Sequence, residues 1–251
     1  MKSRGFLLSI GLLMGTSVVA TAQNLLSNGN LDIMYQQEIV TGFFLPKPFQ
    51  WVNVGSRSIS GAYEDEMSSE PWAGPSPTPV TTDGFNVDTG VDTNDDWGAF
   101  FKPFSGNATN GLATGHLYQD VAGTPGMTYT LTGWAGAEPN AMMTGAEMAL
   151  QFLDGGLNVI GGTVLNLMPT LFVDNGLAFD YKMYTLNGVA PAGTVWVRSR
   201  ISMIGGQSNP AGGGQAYVAD DFTLTVVPEP ATMAVLGFGA LALLRRRRAK
   251  R

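Results

Sequence analysis

The chain has 251 residues, no cysteine and a single histidine, with 20 acids against 14 bases. Cysteine-ligated zinc, thiol nucleophiles and multi-histidine metal centres are thereby excluded. Eight of the bases lie in the two ends, so Gln23–Val227 carries 19 acids against Lys47, Arg57, Lys102, Lys182, Arg198 and Arg200, a net charge of −13 that argues against nucleic-acid binding, because phosphate contacts need clustered Lys and Arg.

The first residues carry Lys2 and Arg4, an apolar run from Phe6 to Ala20, and the small-x-small site Ala20-Thr21-Ala22. A basic start, a short apolar run and such a site read as a secretory signal peptide over 1–22, with the mature chain starting at Gln23. The run is short of the ~20 apolar residues a span requires.

Between the ends, strand-like segments recur between turn signals: Phe49–Val54, Trp97–Phe104, Leu117–Val121, Thr128–Trp134, Ala146–Leu153, Val159–Leu167, Tyr181–Leu186, Thr194–Met203 and Tyr217–Val227. Asp154-Gly155-Gly156, Asn187-Gly188 and Gly205-Gly206 punctuate them. Short strands at regular spacing with Gly, Asn and Asp turns argue for an all-β sandwich or barrel over residues 23–226. Such a domain buries enough core to do without disulfides.

Alternation assigns faces. Val218, Phe222, Leu224 and Val226 share the expected core side of the last strand, and Asp220 shares their parity; Tyr217, Thr223 and Thr225 take the other side. Val195, Val197, Ile201 and Met203 point inward, and Trp196, Arg198 and Arg200 outward. Met148, Leu150 and Phe152 form a core side, with Glu147 and Gln151 wet. Tyr129 and Leu131 go in, and Trp134 follows the threonines out unless Gly133 makes a bulge.

The acid-rich stretch contains Asp92-Thr93-Asn94-Asp95-Asp96-Trp97-Gly98, with oxygen ligands at alternate positions as in a calcium loop. The match fails further on: Gly98 is one place late, and Pro103 stands where a bidentate Glu belongs. His116 comes with no Gly-x-Ser-x-Gly elbow and no evident triad, and no carboxylate pair is marked by a motif, so the chain reads as a non-enzyme.

The last residues run Val227-Pro228-Glu229-Pro230, then the uncharged Ala231–Leu244, then Arg245-Arg246-Arg247-Arg248-Ala249-Lys250-Arg251. As a helix, Ala231–Leu244 is roughly 21 Å long, short of a hydrocarbon core of about 30 Å. Snorkelling arginines and local thinning make it a marginal transmembrane helix, with the basic cluster cytoplasmic. This tail, residues 227–251, resembles the PEP-CTERM sorting signal. The resemblance implies that Pro228, Glu229, Pro230 and Arg245–Arg248 are read by an exosortase, and that the protein passes through the inner membrane to the cell surface or extracellular matrix. Similar tails also carry the label of ice-binding protein C-terminal segments, which describes the tail alone.

A second pattern runs through Asn24-Leu25-Leu26-Ser27-Asn28-Gly29-Asn30-Leu31-Asp32, Tyr118-Gln119-Asp120-Val121, Pro125-Gly126-Met127-Thr128-Tyr129-Thr130-Leu131, Phe152-Leu153-Asp154, Ala190-Pro191-Ala192-Gly193-Thr194-Val195 and Asp220-Asp221-Phe222-Thr223-Leu224. It resembles the jelly-roll carbohydrate-binding modules of the galactose-binding-like group, with Tyr63–Asp96 lacking a counterpart. The resemblance implies a jelly-roll β-sandwich and a structural calcium between Asp32 and Asp220, against which hydrogen bonding to local backbone is the plainer account.

Trp196, Arg198, Arg200 and Trp134 form the expected sugar platform, aromatic faces stacking on sugar rings while arginines bond hydroxyls. The competing expectation is that Tyr63–Asp96 covers Trp196. The expected function is thus an exported surface or matrix protein whose sandwich binds exopolysaccharide or another glycan. The rival is a purely structural surface protein, and third comes a secreted glycan-active hydrolase.

Overall fold

The structure, a computed structural model, describes residues 23–57, 67–71, 97–103, 111–176, 178–212 and 215–227. The described residues form twelve strands: β1 (Met34–Val40), β2 (Phe43–Pro48), β3 (Val52–Arg57), β4 (Met67–Pro71), β5 (Trp97–Phe101), β6 (Ala113–Ala122), β7 (Thr128–Ala137), β8 (Gly145–Leu153), β9 (Val159–Asn166), β10 (Lys182–Val189), β11 (Trp196–Gly206) and β12 (Tyr217–Val227). One helical turn, Met168–Leu171, and one 3-10 turn, Ala178–Asp180, join β9 to β10. All strand pairs are antiparallel, in a five-stranded sheet β10-β7-β12-β5-β4, a five-stranded sheet β3-β6-β11-β8-β9 and the hairpin β1-β2.

Strands β5 to β12 occur in the orders β10-β7-β12-β5 and β6-β11-β8-β9, which is the jelly-roll arrangement of two interlocked Greek keys. β3 and β4 extend one edge of each sheet. The inner faces meet in one core, where Leu117, Met148, Leu150, Phe152, Val197, Ile201 and Met203 pack against Phe101, Tyr129, Leu131, Tyr217, Phe222 and Leu224. Tyr129 and Phe152 touch across it with ring centroids 5.9 Å apart.

Several expectations are corrected. The first expected strand, Phe49–Val54, begins only at Val52, because Gln50 takes a left-handed φ of 66° in the turn after β2. The hairpin β1-β2 was not expected. Its Lys47, fully buried, donates from Nζ to the Met67 carbonyl and ties the hairpin to β4. β4 itself arises inside the stretch Tyr63–Asp96 that had no counterpart. Val195 precedes β11 and is exposed rather than inward.

The largest correction concerns β12. Its register against β7 shifts between Asp220 and Thr223, with Asp221 at φ 51°. Such a bulge inserts a residue and reverses the facing of everything before it. Phe222 and Leu224 therefore keep their expected core positions, while Tyr217 and Ala219 also face the core, Tyr217 stacking on Phe101 at 5.3 Å. Val218 turns to the opposite face, into a small cluster with Phe100, Tyr181 and Ala216. Asp220, paired with Trp134, goes with it and does not point into the main core.

The N-terminal segment repairs the interrupted ladder. Phe222 N donates to Gly29 O (2.7 Å) and Leu25 N to Leu224 O (2.8 Å). Asn24 Nδ2 donates to Phe222 O (3.0 Å), and its Oδ1 accepts from Leu224 N (2.9 Å). Gly29 is required here, since a Cβ would lie 2.3 Å from Phe222 O. Gly133 makes no bulge in β7; it leaves room for the Phe222 ring, which a Cβ would approach to 2.5 Å.

Candidate functional site

The outer face of the β3-β6-β11-β8-β9 sheet follows from the pleat, because residues opposite one another share a face. Three cross-strand rows are central: Asp120–Arg198–Gln151, then Val52–Tyr118–Arg200–Ala149, then Val54–His116–Ser202–Glu147. Trp196 stands one row beyond Arg198, between Ala122 and Leu153. Trp196, Arg198 and Arg200 thus share one outer face, as expected, and all three are half-buried. Tyr118 and Asp120 join them without having been assigned there. Alternation in β6, where Leu117 and Gln119 are buried, carried the signal.

Both arginines are held. Arg198 donates from Nε to Asp120 Oδ1 (2.7 Å) and from Nη2 to Asp120 Oδ2 (2.8 Å), and its Cζ lies 4.0 Å from the Tyr118 ring centroid. The hydrogen bonds that Arg198 donates to Asp120 raise its pKa, against the effect of burial. Arg200 Nη2 donates to Glu147 Oε2 at 2.9 Å. Burial lowers the Arg200 pKa, and Glu147 opposes that shift. A guanidinium fixed by a bidentate carboxylate and an aromatic face presents its remaining N–H groups in a set direction.

His116 lies within β6, not before it, and its Nδ1 is 2.7 Å from Ser202 Oγ. Burial first, and then Arg200, hold its pKa below the usual imidazole value, with Glu147 acting the other way. The row His116–Ser202–Glu147 lacks the geometry of a catalytic triad. The serine, not the imidazole, stands in the middle; Glu147 bonds Arg200; and Ser202 is fully buried.

Trp134 does not join this face. β7 belongs to the other sheet, where Trp134 points outward opposite Met183 and stacks on the buried Tyr181 at 5.9 Å and 13°. It lines an open depression of about 290 Å³ with Asn30, Thr132, Met183, Asp221 and Thr223.

Asp220 stands at the β12 bulge, and Asp32 stands by the head of β5. Asp32 Oδ1 accepts from Trp97 N (3.1 Å), its carboxylate also receives Asn30 Nδ2, and Trp97 heads β5, the neighbour of β12. Asp220 is fully buried, and its Oδ1 accepts from Asp221 N at 2.7 Å. Carboxylates are hard oxygen ligands, and so suit calcium in ligand type. Among the described residues no group of three or more His, Cys, Asp or Glu side chains is gathered for a metal. The Asp92-Asn94-Asp96 loop lies outside the described residues, as does any cover over Trp196 from Tyr63–Asp96 apart from β4.

Pro228, Glu229, Pro230, the apolar run 231–244, Arg245–Arg248 and the signal segment 1–22 also lie outside the described residues. Among those described, no helix is long and apolar enough to cross a membrane. Residues 226–248 match the PEP-CTERM protein-sorting motif, which therefore begins on the last two residues of β12. No curated protein matches the chain. Among solved structures, TmCBM61 in complex with beta-1,4-galactotriose is similar at 16% identity and TM-score 0.42, over 81% of this chain and 98% of that one. A second, CBM4, is similar at 14% identity and TM-score 0.41, over 80% and 99%. The enzymatically active domain of Bacteriophage CBA120 tailspike protein 4 is similar at 14% identity and TM-score 0.45, over 81% of this chain but only 21% of the tailspike chain. The sandwich assignment rests on the sheets and their register, not on these likenesses.

Proposed function

We propose that this chain is a non-catalytic glycan-binding protein of the cell surface or extracellular matrix, delivered there by an exosortase. The sorting motif at 226–248 implies an exported protein processed at the membrane. The binding reading is carried by one observation: Trp196 and Tyr118 bracket Arg198 and Gln151 on a single sheet face, with Arg198 fixed by Asp120. Four residues along a strand separate the two aromatic rows by roughly 14 Å. That spacing suits an extended saccharide whose rings meet an aromatic at each end and a guanidinium and an amide between. Calcium at Asp32 and Asp220 would be a structural support for the bulge, with no part in contacting the sugar.

A purely structural surface protein is the second reading, favoured by the fact that Asp120 and Glu147 already bind both guanidinium groups. Calorimetry with the cell's own extracted polysaccharide separates the two. Glycan binding requires that Trp196→Ala weaken binding, by about 1–3 kcal/mol on the analogy of planar bases stacked on aromatics. Trp134→Ala, on the other sheet, should leave binding unchanged. Absence of wild-type binding at millimolar sugar, with Trp196→Ala lowering the melting temperature, establishes the structural reading. For sorting, alanines at Pro228-Glu229-Pro230 should leave export intact and trap the chain, tail attached, in the inner membrane. Identical processing of mutant and wild type by mass spectrometry would refute this.

A further inference from the structure

The two ends of the domain leave it together. Leu25 N donates to Leu224 O and Phe222 N to Gly29 O, so the N-terminal segment runs antiparallel to β12. Gln23 and Val227 therefore emerge at the same end of the sandwich. Val227 pairs there with Thr128, which pairs in turn with Val189.

Three connections build this end: 123–127, 154–158 and 190–195. Gly126 N donates to Ala190 O, Val195 N to Leu153 O and Gly123 N to Val195 O, each at 2.8 Å. Leu157, Val159, Ile160, Val189 and Val195 are between 37% and 56% exposed on it. Across 121–128, 153–160 and 187–196 the only charged side chain is Asp154. Its carboxylate is taken up within its own turn by Gly156 N (2.8 Å) and Asn158 N (3.0 Å). An end nearly free of charge, with five exposed aliphatic side chains, stands out on a domain of net charge −13.

Chain length fixes what this end can reach. Only Pro228, Glu229 and Pro230 separate Val227 from the apolar run that starts at Ala231. Fully extended, that connection spans at most about 14 Å. The polar interface of a bilayer leaflet is itself about 5–8 Å deep.

We propose that, in the membrane-held precursor, this end of the sandwich rests on the lipid interface. Leu157, Val159, Ile160, Val189 and Val195 enter the headgroup layer, and the outer face bearing Trp196 and Arg198 stands upright, open to the side. This inference rests on the sorting reading, which puts 231–244 in the bilayer. The nearly uncharged end also lessens the repulsion that the acidic domain would otherwise meet at anionic headgroups.

The chain has no cysteine, so one introduced cysteine carries one label. The full chain, held in phosphatidylcholine–phosphatidylglycerol vesicles, would be labelled at Val159→Cys or Val195→Cys, and at the far end at Pro139→Cys or Ala211→Cys. The eleven residues of β12 put the two ends about 35 Å apart. With a headgroup-borne nitroxide quencher, the labels at 159 and 195 should lose most of their emission and those at 139 and 211 keep theirs. Adding Leu157→Asp and Val189→Asp should restore emission at 195. Equal quenching at both ends overturns the proposal. So does emission at 195 that falls with protein density in vesicles lacking the quencher, which would make this end a contact between copies. A chain that does not float with the vesicles refutes the anchoring and the docking together. One that floats with every label unquenched refutes the docking alone.

Discussion

Arg198 and Asp120 face each other across β11 and β6 and share two parallel hydrogen bonds, Nε to Oδ1 at 2.7 Å and Nη2 to Oδ2 at 2.8 Å. The sheet register sets this pairing, and Tyr118 covers the guanidinium at 4.0 Å. Both side chains keep about a fifth of their surface in solvent, 19% and 21%. The pair should therefore contribute only about 1 kcal/mol to stability. A double-mutant cycle over Asp120→Asn and Arg198→Lys, read by urea unfolding, should return a coupling of that size. A coupling of zero would show the pair to be decorative, and Arg198 to be oriented by Tyr118 alone.

Gly133 and Phe222 make a sharper prediction about the core. A methyl group at 133 would lie 2.5 Å from the Phe222 ring. Gly133→Ala should cost about 1–3 kcal/mol through overpacking. Combining it with Phe222→Leu should cost less than the two single losses together, because the leucine vacates the space. Additive losses in chemical denaturation would mean that the backbone, not the ring, yields.

Calcium at the bulge is tested by melting. If Asp32 and Asp220 hold the ion, saturating calcium stabilises only the native state, by about 2.7 kcal/mol at a hundredfold excess over Kd. Chelation should lower Tm. Asp32→Asn should remove the sensitivity to chelator while leaving a folded protein, and Asp220→Asn should do the same at greater cost, because Asp220 is fully buried. Superimposable melts with and without chelator would leave Trp97 N and Asp221 N as sufficient partners.

His116 gives a pH dependence with a definite sign. Its folded pKa is lowered from 6.5, by burial first and Arg200 second. Well above pH 6.5 the imidazole is neutral, folded or unfolded, and contributes almost no slope. Below 6.5 the unfolded chain binds a proton that the folded site resists, so stability is lost as pH falls, until the folded imidazole also protonates. Between pH 7.5 and 5.5 the wild type should therefore lose more Tm than His116→Gln. Parallel Tm profiles would contradict the shift.

Local pattern alone determined a good deal here. The tail motif is contiguous and needed no fold to be read. Alternation in β7, β8 and β11 placed Tyr129, Leu131, Met148, Leu150, Phe152, Val197 and Ile201 in the core and Trp196, Arg198 and Arg200 outside it, because a regular strand has a period of two. Three matters were decided only by the tertiary structure. The bulge at Asp220–Thr223 reversed Tyr217, Val218 and Asp220, since one inserted residue flips a face, and the docking of Asn24–Gly29, distant in sequence, takes up its backbone groups. The sheet order sent Trp134 and Trp196 to opposite sides of the molecule, because strand parity fixes which way a side chain points relative to its own sheet and cannot say which sheet that is. The antiparallel run of Leu25 beside Leu224 brought both ends of the domain to one nearly uncharged rim, a juxtaposition across some 200 residues that no local period encodes.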